Sequence, residues 1–264
     1  MPPEFWPYPL AAVDPAAFAR PLPELLIGCG GKAAAVLSVL TGCKRVIVQH
    51  PRRDPRAFDL VVAARHDALS GPNVIATRTA IHRVTPARLA EAASIWRPRL
   101  ARLPRPLVGV LVGGSNGRFR LGPAEGAALA ADLRALIDQN AGVAITPSRR
   151  TDPAVTTMLA ALDPERAWTW DGSGENPYLG LLACADLIVV TGDSVSMVSE
   201  AVATSAPVLI AELPGRSRRI GRFIDGLTQD GRVRPFRGRL ESWDVSPLDD
   251  TPWAAAEMRR RLGF

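Results

Sequence analysis

DLIVVTGDSVSMVSEAVAT (residues 186–204) decides the fold of this chain. Residues 186–191 form an apolar run rich in β-branched side chains, which predicts a strand. Gly192 and Asp193 follow, and residues 194–204 then have the composition of a helix. A strand that passes through a short polar turn into a helix is the repeating unit of a parallel sheet, so an α/β fold is predicted.

The same alternation extends in both directions along the chain. Further strands are predicted at residues 25–29, 45–49, 59–63, 74–77, 107–112, 143–146, 167–170 and 207–212. Further helices are predicted at residues 32–40, 86–96, 123–139, 152–162, 176–185, 217–230 and 252–262. Because helices of this length alternate with strands, we expect parallel sheets wrapped by helices, as in Rossmann-like folds.

Residues 97–106 (RPRLARLPRP) contain three prolines, which disfavour both a helix and an inner strand. We therefore predict a linker there. It divides the chain into two Rossmann-like lobes, residues 1–104 and residues 105–264. The last predicted helix, residues 252–262, is a candidate for crossing back to the first lobe.

The composition is that of a globular protein, with 47% hydrophobic residues in a chain of 264. The net charge is +6, but 30 of the 32 basic residues are arginine and the aromatic residues are few and scattered. Nucleic-acid-binding surfaces usually interleave basic and aromatic side chains, so no nucleic-acid partner is predicted. A basic surface favours anionic small molecules or an acidic membrane surface.

A cytoplasmic protein is predicted from three features of the sequence. Three cysteines without a CxxC pair indicate reduced thiols rather than disulfides or a zinc site. No apolar run approaches the roughly 20 residues of a membrane span. The opening residues, MPPEFWPYPLAAVDPAAFAR, lack the basic start and the apolar core of a secretory signal. Peripheral contact with the inner membrane remains an alternative.

Polar, small and arginine residues follow the predicted strands of the second lobe. Because ligands of open parallel sheets bind beyond the carboxyl ends of the strands, these segments predict one binding site. After residues 107–112 comes GGSNGR, in which small residues let backbone N–H groups approach a phosphate. The candidate residues of this loop are Gly113, Gly114, Ser115, Asn116 and Arg118. The alternative interpretation is a tight turn that needs glycine.

The TGDSVSM segment begins a helix directly after the strand of residues 186–191. Free N–H groups at a helix start attract anions, and the candidate residues are Asp193, Ser194, Val195 and Ser196. Asp193 would repel a phosphate unless it faces away or meets a hydroxyl, and simple capping by Asp193 or Ser194 is the alternative. Further along the helix, Glu200 is a candidate acceptor for ribose hydroxyls, or else a solvated glutamate.

Two more loops contribute candidates of the same kind. SRRT supplies Ser148, Arg149 and Arg150, which can clamp a diphosphate or a carboxylate, or form an ordinary surface loop. ENPY supplies Asn176 and a phenol; the alternative is that Asn176 caps a helix with Pro177 at its first position. No Ser-His-Asp order, HExxH motif or paired metal carboxylates occur, so no catalytic residue, metal or cofactor is predicted.

Two motifs carry a family resemblance. GGSNG resembles the GGSxG loop of the bacterial glycosyltransferase that adds N-acetylglucosamine to the lipid-linked peptidoglycan precursor, and SVSMVSEA resembles its donor helix, with Glu200 in place of the ribose-binding glutamate. Over residues 23–263 the chain resembles the elongated-mitochondria (ELM) fission family. The segments that carry this resemblance are FDLVVAARHD, GPNVIATRTAIHRVTP, TPSRRT, ENPYLGLLACAD, VVTGDSVSMVSEA and RPF.

The resemblance implies a glycosyltransferase-B-type fold with two lobes. Family members usually begin with a strand and a glycine loop before the segment that matches Leu25, so the first lobe is expected to be truncated. It also implies a metal-independent transferase that binds a nucleoside diphosphate sugar. The alternative is a non-catalytic membrane adaptor, since plant members are associated with recruiting a dynamin-type GTPase to mitochondria. A Rossmann oxidoreductase or epimerase is disfavoured because GxGxxG is absent.

Overall fold

The computed structural model describes residues 10, 13, 14 and 21–264. It divides the chain into two compact units, which are described separately below. Unit 1 comprises Met1–Ile81 with Asp250–Phe264, and unit 2 comprises His82–Asp249. The opening segment assessed above for a secretory signal lies outside the described residues, apart from positions 10, 13 and 14.

Ten strands and eight α-helices lie in the described part of the chain. The strands are β1 (Leu25–Cys29), β2 (Lys44–Val48), β3 (Leu60–Ala64), β4 (Val74–Thr77), β5 (Leu107–Val112), β6 (Gly142–Pro147), β7 (Ala167–Thr169), β8 (Leu187–Thr191), β9 (Val208–Ala211) and β10 (Val233–Pro235). The helices are α1 (Gly30–Leu37), α2 (Pro86–Leu100), α3 (Pro123–Asp138), α4 (Pro153–Ala160), α5 (Tyr178–Cys184), α6 (Val195–Val202), α7 (Arg218–Gln229) and α8 (Thr251–Leu262).

Unit 1 is a four-stranded parallel sheet in the order β1-β2-β3-β4. Ala34 and Leu37 of α1 pack on one face, against a cluster that contains Ile47 and Val61. On the other face, Ala254 and Leu262 of α8 join a second cluster with Val46, Leu60, Val62 and Ile75. The last helix therefore completes the core of a sheet formed by the beginning of the chain.

Asp250 joins the start of α8 to the end of β4. Its carboxylate accepts hydrogen bonds from the backbone N–H of Arg78 at 2.6 Å and from Nη2 of the same residue at 2.5 Å. Burial raises the pKa of Asp250, but the bonds from Arg78 outweigh this effect and keep the pKa below its ordinary value of 3.8. The ionised carboxylate therefore stabilises the folded unit.

We expect Asp250→Asn to lower the free energy of unfolding by about 1.5–3 kcal/mol at pH 7, because charge-assisted hydrogen bonds are lost. The folded pKa lies below the unfolded one, so the stabilisation is fully present above about pH 3.8 and is lost as the pH falls through the folded pKa. Urea unfolding followed by circular dichroism at pH 7 and pH 3 tests this. Asp54→Asn, at an exposed pair with Arg56, is the control. A difference from wild type that persists undiminished at pH 3 would contradict the prediction.

Unit 2 is a six-stranded parallel sheet in the order β10-β9-β8-β5-β6-β7. One face is covered by α2, α5, α6 and α7, with Leu181 and Val202 in its core. The opposite face is covered by α3 and α4, with Leu133 and Val155 in its core. The strand order reverses between β5 and β8, which is the position where open α/β sheets bind ligands.

The predicted linker is wrong over its first residues, because α2 continues to Leu100 with Pro98 inside it. Trp96 and Leu100 are buried against the core of unit 2, and this packing outweighs the low helix propensity of proline in the last turn. The chain passes between the two compact units at residues 81/82 and again at residues 249/250.

β10 was not predicted from the sequence. It has only three residues, one of which is Pro235, and it lies at the edge of the sheet. Edge strands tolerate proline because one side of the strand needs no ladder hydrogen bonds. Within the described residues, no helix combines the length and the apolar composition needed to cross a membrane.

Candidate functional site

Three of the predicted loops lie side by side at the carboxyl edge of the unit 2 sheet, because β8, β5 and β6 are adjacent and parallel. We call residues 113–118, 148–151 and 192–196 the switch loops. They follow β5, β6 and β8 in turn. Hydrogen bonds join them: Gly113 N–H donates to Thr191 Oγ1 at 2.8 Å, and Arg150 Nη1 donates to the Gly114 carbonyl at 3.3 Å.

Asp193 holds the switch loops together. Its side chain is 0% exposed and forms a salt bridge of 3.1 Å with Arg150 Nη2, whose own side chain is 46% exposed. It also accepts hydrogen bonds from Thr191 Oγ1 at 2.7 Å and from Gly114 N–H at 3.3 Å. Asp193 was predicted as a ligand-binding residue, but the structure turns its carboxylate inward, where it positions all three loops.

The glycine pair of the first loop is explained by close packing. A Cβ on Gly113 would lie 2.1 Å from Asp193 Oδ1, and a Cβ on Gly114 would lie 2.0 Å from the Arg150 carbonyl oxygen. No side chain fits at either position without moving the neighbouring loop. Close packing between the loops, and not a turn conformation that requires glycine, therefore accounts for both glycines without a ligand, since neither has a positive φ.

In several of the predicted site residues, the side-chain oxygen atom accepts a hydrogen bond from a nearby backbone N–H group. Ser115 Oγ accepts from Leu121 N–H at 2.9 Å, and Asn116 Oδ1 accepts from Arg118 N–H at 2.9 Å. Ser148 Oγ accepts from Arg150 N–H at 3.2 Å. These contacts fix the loop conformations.

The switch loops offer several hydrogen-bond donors. Arg149 is exposed and has no ion-pair partner among the residues that the structure describes. Arg118 is also exposed and donates one bond of 3.1 Å to Ser217 Oγ. Ser194 caps α6 by accepting from Met197 N–H at 3.4 Å, as the capping interpretation predicted. The next N–H groups, of Val195 and Ser196, have no partner within the helix, and no acidic residue lies in its first turn.

Glu200 lies further along α6 and accepts a short hydrogen bond from the hydroxyl of Tyr178 at the start of α5. Burial, and then the charge of Glu200, raise the pKa of Tyr178 far above its usual value, so the phenol stays protonated. Glu200 is half-buried, and no other donor in the described part of unit 2 reaches it. Tyr178 is the phenol of the ENPY segment, but the sequence analysis did not pair it with Glu200.

Asn176 serves the start of α5 rather than the switch loops. Its Oδ1 accepts from Tyr178 N–H at 2.9 Å, and the helix begins at Tyr178 instead of at residue 176. This turn fixes the backbone of the residue that donates to Glu200. Across residues 10, 13, 14 and 21–264, no group of three or more His, Cys, Asp or Glu side chains is placed to hold a metal ion.

Comparison with solved structures identifies the class of fold. A protein from Listeria monocytogenes that is named as a UDP-N-acetylglucosamine 2-epimerase superposes with a TM-score of 0.55 and 12% identity, over 94% of this chain and 77% of the other. A second UDP-N-acetylglucosamine 2-epimerase gives 0.52 and 12%, over 96% and 67%. The chain therefore has the α/β fold of the glycosyltransferase-B type, as expected; identities this low show the fold alone.

The family follows from sequence. The family model for mitochondrial fission ELM1 matches residues 2–262, so the chain belongs to this family. The mitochondrial fission protein ELM1 of Arabidopsis thaliana is 32% identical over 91% of this chain, and an uncharacterized protein of Rickettsia prowazekii is 28% identical over 70%. The chain spans 64% and 54% of the lengths of these two relatives. The predicted family membership is confirmed.

Proposed function

We propose that unit 2 binds a nucleoside diphosphate sugar, with the diphosphate at the switch loops. The observation that carries the proposal is the orientation of Asp193. Because this carboxylate is buried and paired with Arg150, the start of α6 presents N–H groups to an anion without a competing negative charge. Arg149 and Arg118 add guanidinium donors beside it.

The ribose is assigned to Glu200. This residue follows Val195 by about 7.5 Å along the axis of α6, at the usual rise of 1.5 Å per residue. Tyr178 engages one of its carboxylate oxygens, Oε2, which orients the group and leaves Oε1 to accept from a sugar hydroxyl. The pair therefore provides an oriented acceptor on the same helix that offers donors at its start.

The reaction that suits this arrangement is transfer of the sugar from the diphosphate. An acceptor hydroxyl forms a bond to the anomeric carbon and gives its proton to solvent, while the bond between that carbon and the diphosphate oxygen breaks. The leaving diphosphate thereby gains negative charge. Fixed N–H groups and arginines stabilise such charge without a metal ion. The fold of the glycosyltransferase-B type supports the proposal only at the level of architecture.

Nucleotide binding can be tested by differential scanning fluorimetry of the full chain with UDP, GDP, dTDP and ADP. At a ligand concentration about 100 times the Kd, binding adds about 2.7 kcal/mol of stability, which corresponds to a rise in Tm of roughly 5–10 °C for a protein of this size. Uridine, which lacks the diphosphate, should raise the Tm by much less than UDP. If none of the four diphosphates shifts the Tm, the proposal is wrong.

Three variants locate the site. Glu200→Gln keeps an acceptor for Tyr178 but removes the charge, and we expect roughly tenfold or greater loss of nucleotide affinity, the value of a charged hydrogen bond. Arg149→Ala should weaken diphosphate binding and leave uridine binding unchanged. Arg239→Ala, at an exposed arginine beyond β10, is the matched control and should change neither. Equal losses in Arg149→Ala and Arg239→Ala would indicate a general charge effect rather than a site.

The alternative function is a non-catalytic adaptor at a membrane. A vesicle-binding experiment on the same protein distinguishes it from the nucleotide-binding function. Sedimentation with vesicles that contain 30% phosphatidylserine, together with no response to any nucleotide, would favour the adaptor. The basic character of the chain, with a net charge of +6, supports this alternative in a general way.

A further inference from the structure

A groove of about 420 Å³ runs along one face of α7. It is lined by Ser217, which caps the helix, and by helix residues 220, 221, 224, 225 and 228. This spacing of three and four residues marks a single helix face. The facing wall comes from the carboxyl ends of β8, β9 and β10 and from Phe119. We call this feature the α7 groove; its volume lies within the roughly 300–1,000 Å³ of small-molecule sites.

The lining of the α7 groove is mainly apolar. Ile220 and Ile224 of the helix are half-buried and face Ile210 and Leu213 of the wall. Pro235 and Phe119 extend the apolar surface. An apolar surface of this extent gains stability when an apolar ligand displaces water from it.

The two ends of the groove differ in charge. At the start of α7 lie Arg216 and Ser217, and the guanidinium of Arg216 is exposed without a carboxylate partner in the described residues. Arg118 reaches the same end, where it donates to Ser217 Oγ at 3.1 Å. Asp225 and Thr228 line the groove two to three turns further along the helix. Glu212 and Arg234 also line the groove, but each is paired, Glu212 with Arg237 at 3.2 Å and Arg234 with Glu241 at 3.0 Å. Arg216 is therefore the lining arginine without an ion-pair partner in the described residues, and an anionic group is favoured at its end of the groove.

Gly221 keeps the middle of the groove open. A glycine inside a helix lowers the stability of the helix by about 1 kcal/mol relative to alanine. Its presence at position 221 therefore calls for an explanation. No atom lies within 4 Å of the position of a Cβ on Gly221, so close packing does not supply that explanation. Gly226 of the same helix also has free space, but it does not line the groove. The explanation that fits is the groove itself, because a side chain at position 221 would fill part of the space that a ligand would occupy.

We propose that the α7 groove binds the hydrocarbon chain of a single-chain amphiphile whose anionic headgroup lies at the Arg216 end. The chain would lie on Ile220 and Ile224, beneath the open position at Gly221. The headgroup would accept hydrogen bonds from Arg216. Gly192 is the one switch-loop residue that lines the groove. The site goes beyond the proposed nucleotide function, because the residues that would hold the chain, Gly221, Ile220 and Ile224, play no part in the switch loops.

Dodecyl phosphate is the probe, titrated into the full chain by isothermal calorimetry below its critical micelle concentration. We expect saturable binding of one molecule per chain, no detectable binding of inorganic phosphate, and at least tenfold weaker binding of dodecyl maltoside, which has the same chain and no charge. If inorganic phosphate binds as tightly as dodecyl phosphate, the hydrocarbon chain contributes nothing to the affinity, and the proposal is wrong.

Gly221→Phe fills the groove, and we expect it to weaken dodecyl phosphate at least tenfold. Gly226→Phe, on the same helix and outside the groove, is the matched control and should bind like wild type. Arg216→Ala should weaken dodecyl phosphate about tenfold and leave dodecyl maltoside unchanged. Unchanged binding in Gly221→Phe, or equal losses in both phenylalanine variants, would refute the site. If Gly221→Phe keeps the rise in Tm with UDP, the variant is folded. Its loss of dodecyl phosphate binding is then independent of the nucleotide site.

Discussion

Asp193→Ala is expected to lower the free energy of unfolding of unit 2 by about 2–4 kcal/mol, because it leaves the buried N–H of Gly114 and the hydroxyl of Thr191 without their acceptor. Removing one member of a buried ion pair usually costs about 3–5 kcal/mol, but Arg150 is nearly half exposed and can turn to water, which reduces the loss. Urea unfolding followed by tryptophan fluorescence measures the change, since Trp96, Trp168, Trp170 and Trp243 all belong to unit 2.

Two comparisons make the result specific to the switch loops. Asp193→Asn keeps an acceptor oxygen and loses the charge, so its loss should be intermediate. Asp138→Ala, at an exposed aspartate that ends α3, should stay within about 0.5 kcal/mol of wild type. If Asp193→Ala is as stable as Asp138→Ala, the carboxylate does not hold the loops together. The variant should also lose its response to UDP, because the three loops would no longer share one arrangement.

Trp96→Ala is expected to cost about 3–5 kcal/mol, the usual range for removing a large buried aromatic side chain. Trp96 is 5% exposed and packs where α2 crosses α5. A Cβ on Gly180 would lie 2.2 Å from Trp96 Cγ, so the indole occupies the space of the missing side chain. Trp253→Ala, at a tryptophan that is 52% exposed, is the control and should cost much less.

A double-mutant cycle tests this contact directly. Gly180→Ala alone should destabilise unit 2, because the new methyl group collides with the indole. In the Trp96→Ala background the collision is absent, and the higher helix propensity of alanine should make the same change neutral or stabilising. Additive losses in the double variant would mean that the two positions do not pack against each other.

Much of the fold follows from apolar runs and helix signals. β1, β4 and β5 have the predicted bounds, and Ser194 caps α6 as its sequence indicates. The errors arise where packing outweighs local preference. Pro98 continues a helix because its neighbours Trp96 and Leu100 are buried, and β10 is too short and proline-rich to be recognised.

The candidate site was predictable in position but not in its contacts. The rule for parallel sheets places the switch loops at one edge, and the strand order bears this out for the loops after β5, β6 and β8. The sequence does not show that Asp193 turns inward, since an aspartate at a helix start more often faces the helix N–H groups. Nor does it pair Tyr178 with Glu200, because these residues belong to different helices and meet only through tertiary packing.

The association of α8 with the first sheet has a consequence for the order of events during synthesis. Residues 82–249 leave the ribosome before Ala254 and Leu262, which fill one side of the core formed with Val46, Leu60 and Ile75. The sheet of unit 1 must therefore wait for α8, with an apolar surface uncovered, until these later residues have been made. During that interval the early strands are the part of the nascent polypeptide most exposed to chaperones and to aggregation.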